Sequence, residues 1–118
     1  MQVGLINFYG AVLNVQQERA GLIANNIANA DTPNYKAVDV PFSAALAAQL
    51  NAPGANTAAA RPEYRANATV ALNGNDVSLD GERVASAANA ETMAAATTFL
   101  HQSTSDLMMA LRPNPGGI

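Results

Sequence analysis

The chain has 118 residues, a formal charge of −3 and no cysteine, which excludes a disulfide framework, a thiolate nucleophile and a Cys-ligated zinc site. An acidic balance with 5 % aromatic content supplies neither the basic face nor the stacking platforms of a nucleic-acid-binding surface. Hydrophobic residues reach 49 %, but 26 of them are Ala and only 25 are Leu, Ile, Val or Phe, so another chain is expected to complete part of the apolar surface.

From Val3 to about Ala30, apolar residues fall on two adjoining rows: Leu5, Phe8, Val12, Val15 and Leu22, then Ile6, Tyr9, Leu13, Ala20, Ile23 and Ile27. That spacing predicts a helix with a broad apolar face. Residues 1–30 carry only Glu18 and Arg19 as charges, and the remaining face is Asn and Gln. Neutral amides suit hydrogen bonding inside packed protein better than a water-facing surface. The first basic residue is Arg19, and Gln2, Asn7, Asn14, Gln16 and Gln17 interrupt any apolar span, so neither a cleaved secretory signal nor a membrane helix is expected here. The uncharged run from Val40 to Ala60 contains Pro41, Pro53 and Gly54 and is not read as a membrane helix either.

The segment Asn25-Asn26-Ile27-Ala28-Asn29-Ala30-Asp31-Thr32-Pro33-Asn34-Tyr35-Lys36 ends the first helix. Pro33 disfavours helical geometry at Thr32, and Asn34 suits a tight-turn position of positive φ. Val38, Val40 and Phe42 then alternate with Ala37, Asp39 and Pro41 as a short extended piece. Ser43 is placed to cap a short helix over residues 44–51, stopped by Pro53-Gly54, and residues 52–62 read as a low-complexity linker. Tyr64, Ala66, Ala68, Val70 and Leu72 alternate, and Asn73-Gly74 offers turn chemistry before Val77 and Leu79, which predicts a small β-hairpin. Asp80 is expected as an N-cap, with Glu82 in the positive first turn of a second long helix, from about Glu82 to Leu111. This helix carries Met93, Ala96, Leu100, Leu107 and Leu111 on one side and only Glu91 and Asp106 as charges over residues 84–111; Pro113 and Gly116-Gly117 terminate it.

The expected architecture is mainly α. Residues 1–31 form an N-terminal axial helix, residues 32–80 a turn, extended segment, linker and hairpin, and residues 81–118 a C-terminal helix and tail. The two terminal helices pack as a coiled-coil-like pair within a larger helical assembly.

The run Asn26-Ile27-Ala28-Asn29-Ala30-Asp31-Thr32-Pro33-Asn34-Tyr35-Lys36 resembles the N-terminal signature of bacterial flagellar rod and hook proteins. Within that group the likeness is to the proximal rod proteins of the B type. It extends through Tyr35-Lys36-Ala37, Asp39-Val40 and Phe42, through Gly74-Asn75-Asp76-Val77-Ser78-Leu79-Asp80, and through Ala95-Ala96-Thr97-Thr98-Phe99-Leu100. The family usually has Gly where this chain has Asn34, a replacement compatible with a left-handed turn. Val38, Pro41, Gly81 and Arg83 also depart from it.

The resemblance implies a structural subunit of the basal-body rod, exported unfolded through the flagellar type III apparatus without a cleaved signal and polymerised around a central export channel. It implies no catalysis and no cofactor. Its partners would be copies of itself, other rod proteins, and the membrane-ring and adaptor components at the rod base, in a rod that spans the periplasm. A subunit interface is then expected from Leu5, Phe8, Val12, Leu22, Ile23, Ile27, Met93, Leu100, Leu107 and Leu111. The signature turn would comprise Asn26, Ile27, Ala28, Asn29, Thr32, Pro33, Asn34 and Tyr35. The competing class is a small helical export chaperone or adaptor acting as a discrete binding module.

Blander readings weigh against several other candidates. His101 stands alone and cannot form a zinc site or catalytic pair, and Asp76, Asp80 and Glu82 lack calcium-loop spacing and read as helix-start residues, so no metal is expected. Met108 and Met109 offer an adaptable contact but read first as packing. Asn67-Ala68-Thr69 is a chance match to a glycosylation acceptor. Asn26 and Asn29 could bond across subunits or simply close the helix end.

Overall fold

The computed structural model describes residues 2–51, 62–65 and 69–113. Two helices dominate it, α1 over Gln2–Ala28 and α3 over Leu79–Leu111, with a shorter α2 over Phe42–Asn51 between them. Asn89 reaches the main chain of Gln16, and Phe99 stacks on Tyr9, so α1 and α3 run antiparallel as a hairpin of helices. Counting seven residues back from Tyr9 and seven forward from Phe99 sets Gln2 opposite Asp106, so the last turn of α3, from Leu107 to Leu111, runs past the start of α1. The molecule measures 75 × 25 × 19 Å with a radius of gyration of 18.8 Å. A compact chain of this length would have a radius near 13 Å.

On α3 the buried residues are Glu82, Asn89, Ala96 and Ser103, each seven apart. Heptad spacing keeps one seam facing its partner along an antiparallel pair, and this is the coiled-coil-like packing the sequence implied. The apolar centre lies where α2 crosses α1: Val15, Val40 and Ala45 are buried together, with Leu22 and Phe42 packed against them.

The small sheet is present, but its partners differ from the expected hairpin. β1 (Val38–Asp39) pairs antiparallel with β2 (Glu63–Tyr64), in the register Val38 to Tyr64 and Asp39 to Glu63. Tyr64 therefore belongs with the extended segment after α1, not with Val77 and Leu79. Asn73-Gly74 does turn, closed by the Gly74 N–H on Ala71 O and the Ala71 N–H on Asn75 O. Beyond it, Asn75, Asp76 and Val77 spend their backbone or side-chain groups on the α1–β1 loop or on each other, leaving no ladder for a hairpin. Residues 52–61, most of the expected linker, together with Ala66, Asn67, Ala68, Gly116 and Gly117, lie outside the described residues.

Two caps also differ. Ser78, not Asp80, caps α3, its hydroxyl accepting from the Gly81 N–H at 3.1 Å; Asp80 and Glu82 both sit in the first turn. α2 starts before Ser43, with the Ala45 N–H on Pro41 O, so Ser43 is already helical. In both places the chain nucleates earlier than its side-chain cues: Pro41 precedes a helix that packs Phe42 and Ala45 inward, and Gly81 is tolerated once Ser78 holds the first turn.

Candidate assembly interface

The closed end of the helical hairpin is a polar clasp that fixes how α1 and α3 meet. Asn26 is fully buried and acts as a surrogate strand for Val38: its Nδ2 donates to Val38 O at 2.9 Å, and its Oδ1 accepts the Val38 N–H at 3.0 Å and the Tyr35 hydroxyl at 3.2 Å. Asn29 donates to Asn25 O at 2.8 Å and accepts from Thr32 Oγ1 at 3.0 Å, closing the C-terminus of α1. Asn75 then joins the two halves. Its Nδ2 donates to Asn29 O at 2.8 Å and Thr32 O at 2.7 Å, while its Oδ1 accepts the Val77 N–H at 2.8 Å. Asp76 accepts the Ala37 N–H at 2.6 Å, and Lys36 Nζ donates to Gly74 O. Asn34 has φ 63°, the left-handed geometry the sequence required, and its N–H donates to Asn73 O. The two motifs Asn26–Lys36 and Gly74–Asp80 thus hold each other within one chain. Pro33, Ala28 and Thr32 lie exposed at the turn.

Beside the clasp, ions from four segments converge. Arg19 of α1 grips Asp39 with two 3.0 Å bonds, Nε to Oδ1 and Nη2 to Oδ2. Arg65, just beyond β2, stands between Asp39 Oδ2 at 3.5 Å and Glu82, where its Nη2 donates to Oε2 at 3.2 Å and its Nε lies 2.9 Å from Oε1. Glu82 is only 1 % exposed. Burial pushes the Asp39 carboxyl up, but the Arg19 hydrogen bonds, the Val40 N–H and the charges of Arg19 and Arg65 together hold it below the ordinary carboxylate value. Sequence reasoning missed this cluster. The available signal was that Arg19 is the only cation before Lys36, in a helix otherwise almost free of charge, which makes it a candidate for a buried partner.

The open half of the hairpin has the opposite character. Leu5, Phe8, Phe99, Met108, Met109 and Leu111 are exposed. Of the expected interface residues, Leu5, Phe8, Ile27 and Leu111 present free surface, while Leu22, Met93, Leu100 and Leu107 are half-buried. Ile23 is buried inside the chain itself, and Val12, 7 % exposed, shows only an edge in the wall of a groove between α1 and α3. The seam is polar: Asn89 donates to Gln16 O at 3.0 Å, and Asn89 Oδ1 and Gln16 Oε1 are buried without a partner. His101 is exposed on α3, Asp80 is exposed, and Asp76 and Glu82 are committed to Ala37 and Arg65.

An apolar groove of about 390 Å³ runs between α1, the end of α2 and Leu100, lined among others by Ile6, Gly10 and Leu50. A second, of about 240 Å³, is lined by Phe8, Tyr9, Val12, Phe42, Ala95 and Phe99. Such surfaces can receive helix ridges. No helix among the described residues is long and apolar enough to cross a membrane.

Residues 13–36, the second half of α1 and the first half of the clasp, match the family model described as Flagella basal body rod protein. The chain is 31 % identical to the flagellar basal body rod protein FlgB of Cereibacter sphaeroides, over 91 % of this chain and 93 % of that protein. It is 29 % identical to FlgB of Proteus mirabilis, over 90 % and 92 %. With FlgB of Salmonella typhimurium the identity is 28 %, over 91 % and 92 %.

Proposed function

Given that the chain belongs to the flagellar basal body rod protein family, among the FlgB proteins, we propose that it polymerises through its terminal helices into the proximal rod, the drive shaft that carries torque and surrounds the export channel. Its role is structural, in the flagellar basal body, where it assembles with other rod proteins. It reaches that site after passage through the flagellar type III export apparatus and takes its place in the periplasm-spanning rod, against the membrane-ring and adaptor components at the base.

The observation that carries this reading is the inverted distribution of side chains on α3. Its buried seam is Glu82, Asn89, Ala96 and Ser103, while Val84, Phe99, Met108, Met109 and Leu111 are exposed. A helix that hides polar groups and shows large apolar ones is completed by protein on its outer side. Torque transfer follows from that packing, since load is shared by many interlocked helices, and the clasp keeps the two helices of each subunit from sliding past one another.

Leu100→Asp and Ile27→Asp are expected to abolish recovery of the protein in isolated basal bodies and with it motility, because each puts an ion into a seam that loses its water on assembly. Normal rods and motility with both variants would overturn the proposal. A discrete chaperone or adaptor would instead melt cooperatively as an isolated chain with both helix ends protected from hydrogen exchange.

A further inference from the structure

We propose that the last turn of α3 of one molecule docks its Met108 and Met109 into the aromatic groove of a second copy of this chain, a head-to-tail contact that specifies self-association. The inference rests on the reading of the chain as a rod subunit and names the partner for one of its apolar surfaces. On the tip, Met108, Met109 and Leu111 are 66 %, 69 % and 73 % exposed. The groove is lined by Phe8, Tyr9, Phe42 and Phe99 around the small side chains Ala95 and Ala96, carries no charged residue, and at about 240 Å³ can receive a methionine side chain. Tyr9 and Phe99 stack at 5.5 Å and Phe8 meets Tyr9 edge-on at 5.4 Å, so its walls are set before anything enters.

Tip and groove match in chemistry. Unbranched thioethers adapt to irregular apolar cavities and gain from sulfur–aromatic contact. Phe8, Tyr9, Phe42 and Phe99 are four of the six aromatic residues of the chain, gathered at one place. One molecule cannot satisfy itself, because Phe99 and Met108 lie on the same straight helix nine residues, or roughly 14 Å, apart. Tip and groove are different surfaces, so each molecule can give its tip to one copy and take the tip of another in its groove.

The test uses the full chain and two kinds of disabled variant. Met108→Glu with Met109→Glu removes the tip, and Ala95→Glu, at an exposed lining position, charges the groove without touching the α1–α3 seam. In sedimentation velocity, the parent chain is expected to grow in mass with concentration, and each variant alone to stay monomeric with unchanged helical circular dichroism. An equimolar mixture of the two variants retains one intact tip and one intact groove and is expected to stop at a 1:1 dimer. Undiminished association of either variant, a mixture that stays monomeric, or association only with other rod proteins overturns the proposal. If the chain fails to self-associate yet is recovered in isolated basal bodies, this contact is wrong and the rod reading stands; absence from basal bodies defeats the rod reading itself.

Discussion

Asn34 and Gly74 meet face to face, each in left-handed backbone, at φ 63° and 84°, and a side-chain carbon built on Gly74 would overlap the Asn34 side-chain amide. The Asn34 N–H donates to Asn73 O beside this contact, so the turn after α1 and the turn before α3 are set by one another. Gly74→Ala is expected to cost about 2–3 kcal/mol in urea unfolding, about 1 of it from the left-handed backbone and the rest from the overlap. Asn34→Gly alone should cost less than about 1 kcal/mol, since glycine accepts the same φ, whereas Asn34→Val should cost more. In the Asn34→Gly background Gly74→Ala loses its obstacle and should become cheaper by about 1 kcal/mol. An equal cost in both backgrounds would rule out the overlap.

Asn26 offers a second measurement on the clasp. Asn26→Leu keeps the bulk but leaves the Val38 N–H and C=O buried without partners, which should cost about 2–4 kcal/mol. Asn26→Asp keeps an acceptor for the Val38 N–H but turns a carboxylate toward Val38 O. Its stability should therefore recover on acidification, when a protonated carboxyl can donate there. Tyr35→Phe loses only the 3.2 Å bond to Asn26 and should cost less than about 1 kcal/mol. If Asn26→Asp unfolds in parallel with the parent at every pH, the Nδ2 bond to Val38 O carries no weight.

Both long helices were legible from period and charge alone because their signals are local: apolar rows every three to four residues, with breakers at Pro33 and Pro113. The left-handed turn at Asn34 was legible for the same reason. What escaped is non-local. Tyr64 alternates with its neighbours as any edge strand would, and nothing nearby says that its partner is Val38, twenty-six residues back across a low-complexity stretch. The choice is made by Arg65, whose guanidinium meets Asp39 and Glu82 only once β2 lies beside β1. Val12 shares the apolar row of Leu5 and Phe8, and Ile23 that of Ile27, and periodicity cannot tell which member of a row the chain's own fold buries.

Arg65 and Glu82 are expected to be strongly coupled. Arg65→Met leaves a carboxylate that is almost fully buried without its cation and should cost about 3 kcal/mol, since breaking a buried pair strands a charge. Glu82→Met alone also loses stability but leaves Arg65 with Asp39. The double variant, with apolar bulk in place of both ions, should recover most of the loss. Hydrogen exchange should localise the Arg65→Met effect to residues 37–40 and 79–84, with the Tyr9–Phe99 end unchanged. A strictly additive double variant would show that Arg65 draws its stability from the β1 side alone.

Asp39 sets how that cluster responds to acid. Burial alone would raise its carboxyl, but the hydrogen bonds from Arg19 and the Val40 N–H, with the charges of Arg19 and Arg65, leave it lower in the folded chain than in the unfolded one. A group depressed on folding contributes stability that is fully present above the ordinary carboxylate range and disappears as pH falls through its lowered folded value. Urea midpoints measured from neutral pH down to about pH 2 should therefore fall more steeply for the parent than for Asp39→Asn, which starts lower and holds no proton-linked advantage to lose. Arg19→Lys, which keeps the charge but not the two-pronged grip, should lie between them. Identical slopes for the parent and Asp39→Asn below the ordinary carboxylate range would mean that the ionised form of Asp39 gains nothing from the Arg19 grip.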